Sequence, residues 1–158
     1  MASANLNELQ STVAIGWVVV TDSDAPPFGQ TLLDGRHVLA ADEPRMVGGQ
    51  DSGPSPYELL LMALGACTAM TLRMYATRKQ LPLERVLVRL KHHKVHAEDC
   101  INCELNAAMI DRIDRQIELF GPLDDAQRRR LIEIADKCPV HRTLESKVDI
   151  RTALVPAA

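Results

Sequence analysis

The 158-residue chain has little aromatic surface: one Trp, two Tyr and two Phe. Its formal net charge is −3 with both signs mixed along the sequence, so it lacks a basic footprint as well. Those two shortages exclude the phosphate-tracking groove and base-stacking platform of a nucleic-acid binder. Met1 to Ser11 carries one charged side chain, Glu8, and neither the basic nor the apolar block of a secretory signal. Long hydrophobic runs are missing too. The uncharged run from Leu59 to Leu72 is 14 residues, short of the roughly 20 that a bilayer span needs, and Glu58 and Arg73 bracket it. Neither nucleic acid nor membrane is an expected partner. Four cysteines without a signal segment point to a reducing, cytoplasmic setting. Thiols there tend to be catalytic, redox-sensing or metal-binding rather than stapled.

What the chain does contain is organised around one helix. Ser55 suits the N-cap, Pro56 the first helical position, and Glu58 the return half of a capping box. The following run of good helix formers shows hardly any polar face, which predicts a helix over about 55–79 that is buried nearly all round. Cys67 lies in its middle. Before it, the β-branched run 12–21 reads as a strand, and further strands are expected over 30–33 and 37–41, hinged at Asp34-Gly35. After it, Val86, Val88 and Leu90 alternate with Arg89 and Lys91, giving a half-buried strand within 83–96. Residues 110–120 suit either a helix or a strand, since Ile113, Ile117 and Leu119 also share a strand face. Asp124 and Gln127 open a second helix over about 124–138, with Leu131, Ile134, Ala135 and Cys138 on one face and Pro139 as its stop. Residues 146–152 read as a closing strand. The expectation is one α+β domain spanning residues 1–158, long enough for a core.

Two of the cysteines lie on apolar helix faces, where a lone cysteine is most simply a small core side chain. The context of Cys138 is unusual for that role, because Val140, His141 and Arg142 follow at once. Were Cys67 and Cys138 to meet, dithiol chemistry would follow: one thiolate attacks the O–O bond of a peroxide and becomes a sulfenic acid, and the other condenses with it to a disulfide. An apolar pocket raises a thiol's pKa, so the attacker needs a nearby cation. A helix C-terminus disfavours a thiolate, which makes Cys67 the nucleophile candidate and Cys138 the resolver.

Gly53-Pro54-Ser55-Pro56 running into Ala63-Leu64-Gly65-Ala66-Cys67-Thr68-Ala69, with Ala135-Asp136-Lys137-Cys138-Pro139-Val140-His141, together resembles the OsmC/Ohr family of osmotically induced and organic-hydroperoxide-resistance proteins. The resemblance covers nearly the whole chain. It implies an intertwined homodimer in which two buried central helices are wrapped by antiparallel strands of both chains. It also implies a thiol peroxidase for a small, apolar organic hydroperoxide that needs no organic cofactor, only an external dithiol reductant. Residues 110–120 are then a strand. Peroxidases of the family carry a glutamate ten residues before the first cysteine, where it holds an activating arginine. Here that position is Tyr57, with Glu58 one residue later and about 180° from Cys67 on an ideal helix, so Glu58 is a candidate for that role or a helix cap only. Arg45 and Arg36 are the candidate arginines. His141 stands where the peroxidases carry a small polar residue, as expected of a divergent branch.

Cys100-Ile-Asn-Cys103 is a further pair, with His92, His93 and His96 upstream. With Cys138 and His141 it could make a Cys₃His zinc site, it could serve as a redox or resolving pair, or it could have no special role. A zinc-bound Cys138 could not easily resolve Cys67, so those readings compete. A non-enzymatic redox sensor or small-molecule-binding protein on the same scaffold is the principal rival to a peroxidase, with a zinc-stabilised structural domain behind it.

Overall fold

The computed structural model describes residues 6–96 and 109–156, which form two compact units, one up to Leu60 and one from Leu61 on. In the first unit, helix α1 (Leu6–Thr12) precedes a three-stranded antiparallel sheet of β1 (Val19–Asp22), β2 (Gln30–Leu33) and β3 (Val38–Ala41), in that order. The pairings run Val19↔Leu33 to Asp22↔Gln30 and Gln30↔Ala41 to Leu33↔Val38. Strand β2 falls on its expected residues. The strand expected over 12–21 is corrected: it is four residues long and starts at Val19. Residues before it turn instead, with Gly16 at φ +84° and the Trp17 N–H donating to the Ala14 carbonyl at 3.0 Å. The Asp34-Gly35 hinge behaves as its chemistry requires. Gly35 takes φ +85°, and Asp34 Oδ1 accepts the N–H groups of Arg36 and His37 at 2.9 and 2.6 Å, an Asx turn.

The loop after β3 is folded around Asp42. This carboxylate is 2% exposed and accepts the N–H groups of Glu43, Gln50 and Ser52 at 2.8, 3.0 and 3.1 Å and the Ser52 hydroxyl at 2.9 Å. Burial alone would push its pKa up, but the Ser52, Glu43 and Gln50 donors outweigh that and hold it below the usual carboxylate range.

Helix α2 (Pro56–Arg78) begins in the first unit and continues in the second. Its capping box forms as read: the Glu58 N–H reaches Ser55 Oγ at 3.4 Å, and the Glu58 carboxylate accepts the Ser55 N–H and hydroxyl at 2.7 and 2.9 Å. At 23 residues α2 is long and apolar enough to cross a membrane by length and composition, but Leu72 and Ala76 pack into a protein core. Within the single chain the buried face is the stripe Leu64, Thr68, Leu72 and Ala76, at four-residue spacing. Met62, Met70 and Met74 remain 58, 66 and 73% exposed.

In the second unit β4 (Arg85–His96) and β5 (Met109–Phe120) pair antiparallel from Arg85↔Phe120 to His96↔Met109, so residues 110–120 are a strand. Leu72 and Ala76 of α2 meet Leu83, Leu123 and Leu131, Ile134 and Ala135 of α3 (Asp125–Ala135) in one core. Gly121 makes the turn out of β5 at φ +125°, where a Cβ would lie 2.1 Å from the Pro82 carbonyl, so only glycine fits. Asp124 and Gln127 close a capping box on α3. Arg128 then ties the helix to the strand end, donating to the carbonyls of Leu119, Gly121 and Leu123 at 2.7, 3.1 and 3.3 Å.

Two expectations at the C-terminal end are corrected. The second helix stops at Ala135 rather than Cys138, and Pro139 starts a further helix, α4 (Pro139–Glu145), instead of ending one. Residues 146–152 form no strand. Val148 and Ile150 are 56 and 83% exposed, and β-branched residues make a strand only where a neighbouring edge supplies hydrogen bonds.

Candidate active site: a neighbouring thiol pair

Cys67 faces inward from α2, and Cys138 sits in the link between α3 and α4. Both are free thiols, Cys67 half-buried and Cys138 wholly buried. They lie close enough for each to shift the other's pKa. The sequence left open whether these two residues meet. The setting of Cys138 differs from what was read. It is the N-cap of α4, with Pro139 at the first helical position. Its sulfur therefore lies beside the first turn of α4, without a capping hydrogen bond to its N–H groups.

Their surroundings shift the two thiols in opposite directions. Near Cys138 stand the Cys67 thiol, the His141 and Val140 backbone N–H groups and the Thr68 hydroxyl. Burial alone would raise its pKa, and the donors outweigh burial to bring it down. Burial pushes the Cys67 thiol up, the neighbouring Cys138 adds to this, and the Val140 N–H and Thr71 hydroxyl offset only part. The expectation that Cys138 closes a helix, where a thiolate is disfavoured, is corrected: it stands at the start of α4.

Arg115, on β5, was not singled out from the sequence. Its side chain is 13% exposed. One guanidinium nitrogen donates to Thr68 Oγ1 at 3.1 Å and the Ala135 carbonyl at 3.3 Å, and the other pairs with Asp136 at 2.7 Å. A signal was available: Arg115 shares the inward strand face with Ile113, Ile117 and Leu119, while Asp114, Gln116 and Glu118 are exposed. A charge on an apolar face needs partners.

The other sequence candidates, Glu58, Arg36 and Arg45, belong to the first unit. Glu58 is engaged by Ser55 in the capping box, which also lowers its pKa. Arg36 lies in the β2–β3 hairpin and Arg45 opens a short 3₁₀ turn, Arg45–Val47, both exposed and both in the first unit. An open pocket of about 170 Å³, bordered by Phe28, Asp42 and Pro56, is also in the first unit and contains neither thiol. Cys100 and Cys103 lie outside the described residues. His92 pairs with Asp111 at 2.8 Å and His141 with Glu145 at 3.0 Å. Among the described residues no three His, Cys, Asp or Glu side chains converge as metal ligands.

Comparison with known proteins agrees with this layout. The family profile described as OsmC-like protein matches residues 49–153, a span that includes both cysteines. The fold is similar to that of an OsmC-like protein from Mycoplasma pneumoniae (19% identity, 82% of this chain and 86% of the other, TM-score 0.64). It is also similar to an organic hydroperoxide resistance protein OsmC from Legionella pneumophila (18%, 86% and 94%, TM-score 0.60) and to the organic hydroperoxide resistance protein OhrB of Bacillus subtilis (17%, 86% and 96%, TM-score 0.59). A search of the curated proteins matches none. With the profile covering most of the sequence and the same mixed helix-and-sheet fold in these structures, the chain belongs to the OsmC-like family.

Proposed function

We propose that this protein is a cytoplasmic, homodimeric thiol peroxidase that reduces apolar organic hydroperoxides. What supports this reading is the proximity of the Cys67 and Cys138 thiols, each of which shifts the other's pKa, because a disulfide needs its sulfurs near one another. Cys67 is the attacker, since it is the sulfur that a substrate can reach. Cys138, fully enclosed, first accepts the Cys67 proton. The Cys67 thiolate then attacks the distal oxygen of ROOH, the O–O bond breaks, and RO⁻ takes the proton from Cys138 and leaves as the alcohol. The Cys138 thiolate attacks the Cys67 sulfenic acid, forming the S–S bond and expelling hydroxide, which becomes water. An external dithiol reduces the disulfide and is itself oxidised. Arg45 or Arg36 is assigned the role of stabilising the Cys67 thiolate, with Glu58 as the family-suggested partner of that arginine. The exposed Met62, Met70 and Met74 support both an apolar substrate and a second subunit.

The test is to mix reduced protein with one equivalent of cumene hydroperoxide, block free thiols and map disulfides by mass spectrometry. A rapid Cys67–Cys138 link is expected, absent in Cys67→Ser and Cys138→Ser and retained in Cys100→Ser. A Cys67 that stays alkylatable refutes the peroxidase. The capture of Glu58 by Ser55 favours, as a second reading, a redox sensor on the same scaffold. Such a sensor forms the link but does not turn over when a dithiol is supplied.

A further inference from the structure

Arg115 stands opposite Leu90 across the β4–β5 ladder, and at that register the sheet meets α2 closely. A Cβ on Gly65 would lie 2.8 Å from Leu90 Cδ1. The bare backbone at Gly65 lets the strand pair come near, and the Arg115 guanidinium donates to Thr68 Oγ1, one turn further along the helix, at 3.1 Å. The same nitrogen donates to the Ala135 carbonyl at 3.3 Å. That carbonyl also accepts the Cys138 N–H at 3.3 Å, while the second guanidinium nitrogen holds Asp136 at 2.7 Å. Thr68 directly follows Cys67, and Asp136 lies two residues before Cys138. One side chain, 13% exposed, therefore joins the backbone that carries one thiol to the backbone that carries the other.

We propose that Arg115 is a positioning residue for disulfide formation: it clasps the α3–α4 link to α2 and so keeps Cys138 within reach of Cys67. The link needs such a clasp. Helix α3 ends at Ala135 and α4 begins at Pro139, so Cys138 sits between two helix ends, and its side chain makes no capping hydrogen bond that would hold it there. A planar guanidinium fork reaches a hydroxyl, a carbonyl and a carboxylate at once, which an ammonium point charge does less well. The C-terminal carbonyl of α3 favours a cation beside it. Asp136, with its side chain 62% exposed, balances that charge from the solvent side, as a mostly buried cation requires. Sulfurs that are already held together lose less freedom on closing into a disulfide, so the bond forms at a higher effective concentration. The role rests on the dithiol reading of Cys67 and Cys138, and its test needs no peroxide.

The experiment equilibrates the whole chain with mixtures of reduced and oxidised dithiothreitol, blocks free thiols and quantifies the Cys67–Cys138 link by mass spectrometry. Closing the link passes two electrons and two protons from the thiol pair to oxidised dithiothreitol, which becomes the reduced dithiol. Arg115→Gln is expected to lower the equilibrium constant for the link roughly tenfold, a midpoint shift of about 30 mV for a two-electron couple. Arg115→Lys recovers part of it, because an ammonium keeps the charge and some of the donors. Thr68→Val keeps the side-chain shape, removes the acceptor on α2 and lowers the constant as well. Combined with Arg115→Gln it costs no more than Arg115→Gln alone, since both cut the same clasp. Leu131→Ala, a change in the core, melts earlier but leaves the midpoint in place. A midpoint that Arg115→Gln leaves unmoved overturns the inference. So does one that Leu131→Ala shifts as far, since any loosening of the fold would then have the same effect. If the midpoints move as expected but cumene hydroperoxide forms no disulfide in the wild type, the clasp stands and the peroxidase falls.

Discussion

Replacing Met70 and Met74 together by Gln tests whether the bare face of α2 is where a second copy docks. Glutamine has nearly the same volume and helix propensity, and both sites are mostly exposed, at 66 and 73%. Within one chain the change should therefore cost no more than about 0.5 kcal/mol. In a two-fold dimer each residue is used twice, so four side chains change environment. Fully burying a methionine is worth roughly 1.5–3 kcal/mol, and about two-thirds of that area is still available here, which gives about 1–2 kcal/mol per side chain. The sum, about 4–8 kcal/mol, weakens association by roughly three to six powers of ten. Sedimentation velocity across a dilution series should show a dimeric wild type and a monomeric variant, with unchanged melting at low concentration. A wild type that is monomeric at micromolar concentration, or a variant that dimerises as tightly, refutes the reasoning.

Leu131→Ala, at a wholly buried site between α2 and α3, should lower stability by about 2.7–5 kcal/mol, read as a shift of the urea midpoint with little change in slope. For Asp42, hydrogen bonds hold the folded pKa below the unfolded value of about 3.9. Its contribution is thus fully present above that value and is lost as pH falls through the lower, folded one. Urea unfolding from about pH 6 down to about pH 2 should show this acid loss, and Asp42→Asn should flatten it while leaving a less stable protein at neutral pH.

Legibility in the sequence followed the range of the forces involved. The capping boxes at Ser55/Glu58 and Asp124/Gln127 and the Asp34-Gly35 turn are contacts within three residues, and each formed where it was read. Residues 12–21 misled because β-propensity carries no information about register or partner. Gly16, the one residue of that run free to take a positive φ, was the available hint. Pro139 is compatible with both a helix stop and a first helical position, so the local sequence could not tell whether Cys138 faced carbonyls or N–H groups. That single ambiguity hid the place of Cys138 at the start of α4. Arg115 depends on long-range pairing: only once β5 lies inward against α2 and α3 does it reach Thr68 and Ala135. The apolar sequence of α2 specifies that its faces must be covered, not that the same chain covers them.

The difference in solvent access between the two sulfurs has a consequence for oxidative damage. A sulfenic acid becomes the irreversible sulfinic and sulfonic acids only by meeting further oxidant molecules. At Cys67 that second encounter competes with the neighbouring Cys138 thiol, so overoxidation should require a large excess of oxidant. At Cys138, with no exposed surface, oxidant cannot arrive at all while the fold is closed. Lesions should therefore accumulate on one sulfur only. A damaged population would be marked by sulfonated Cys67 peptides beside intact Cys138 peptides, a record of exposure written on one residue and kept off its neighbour.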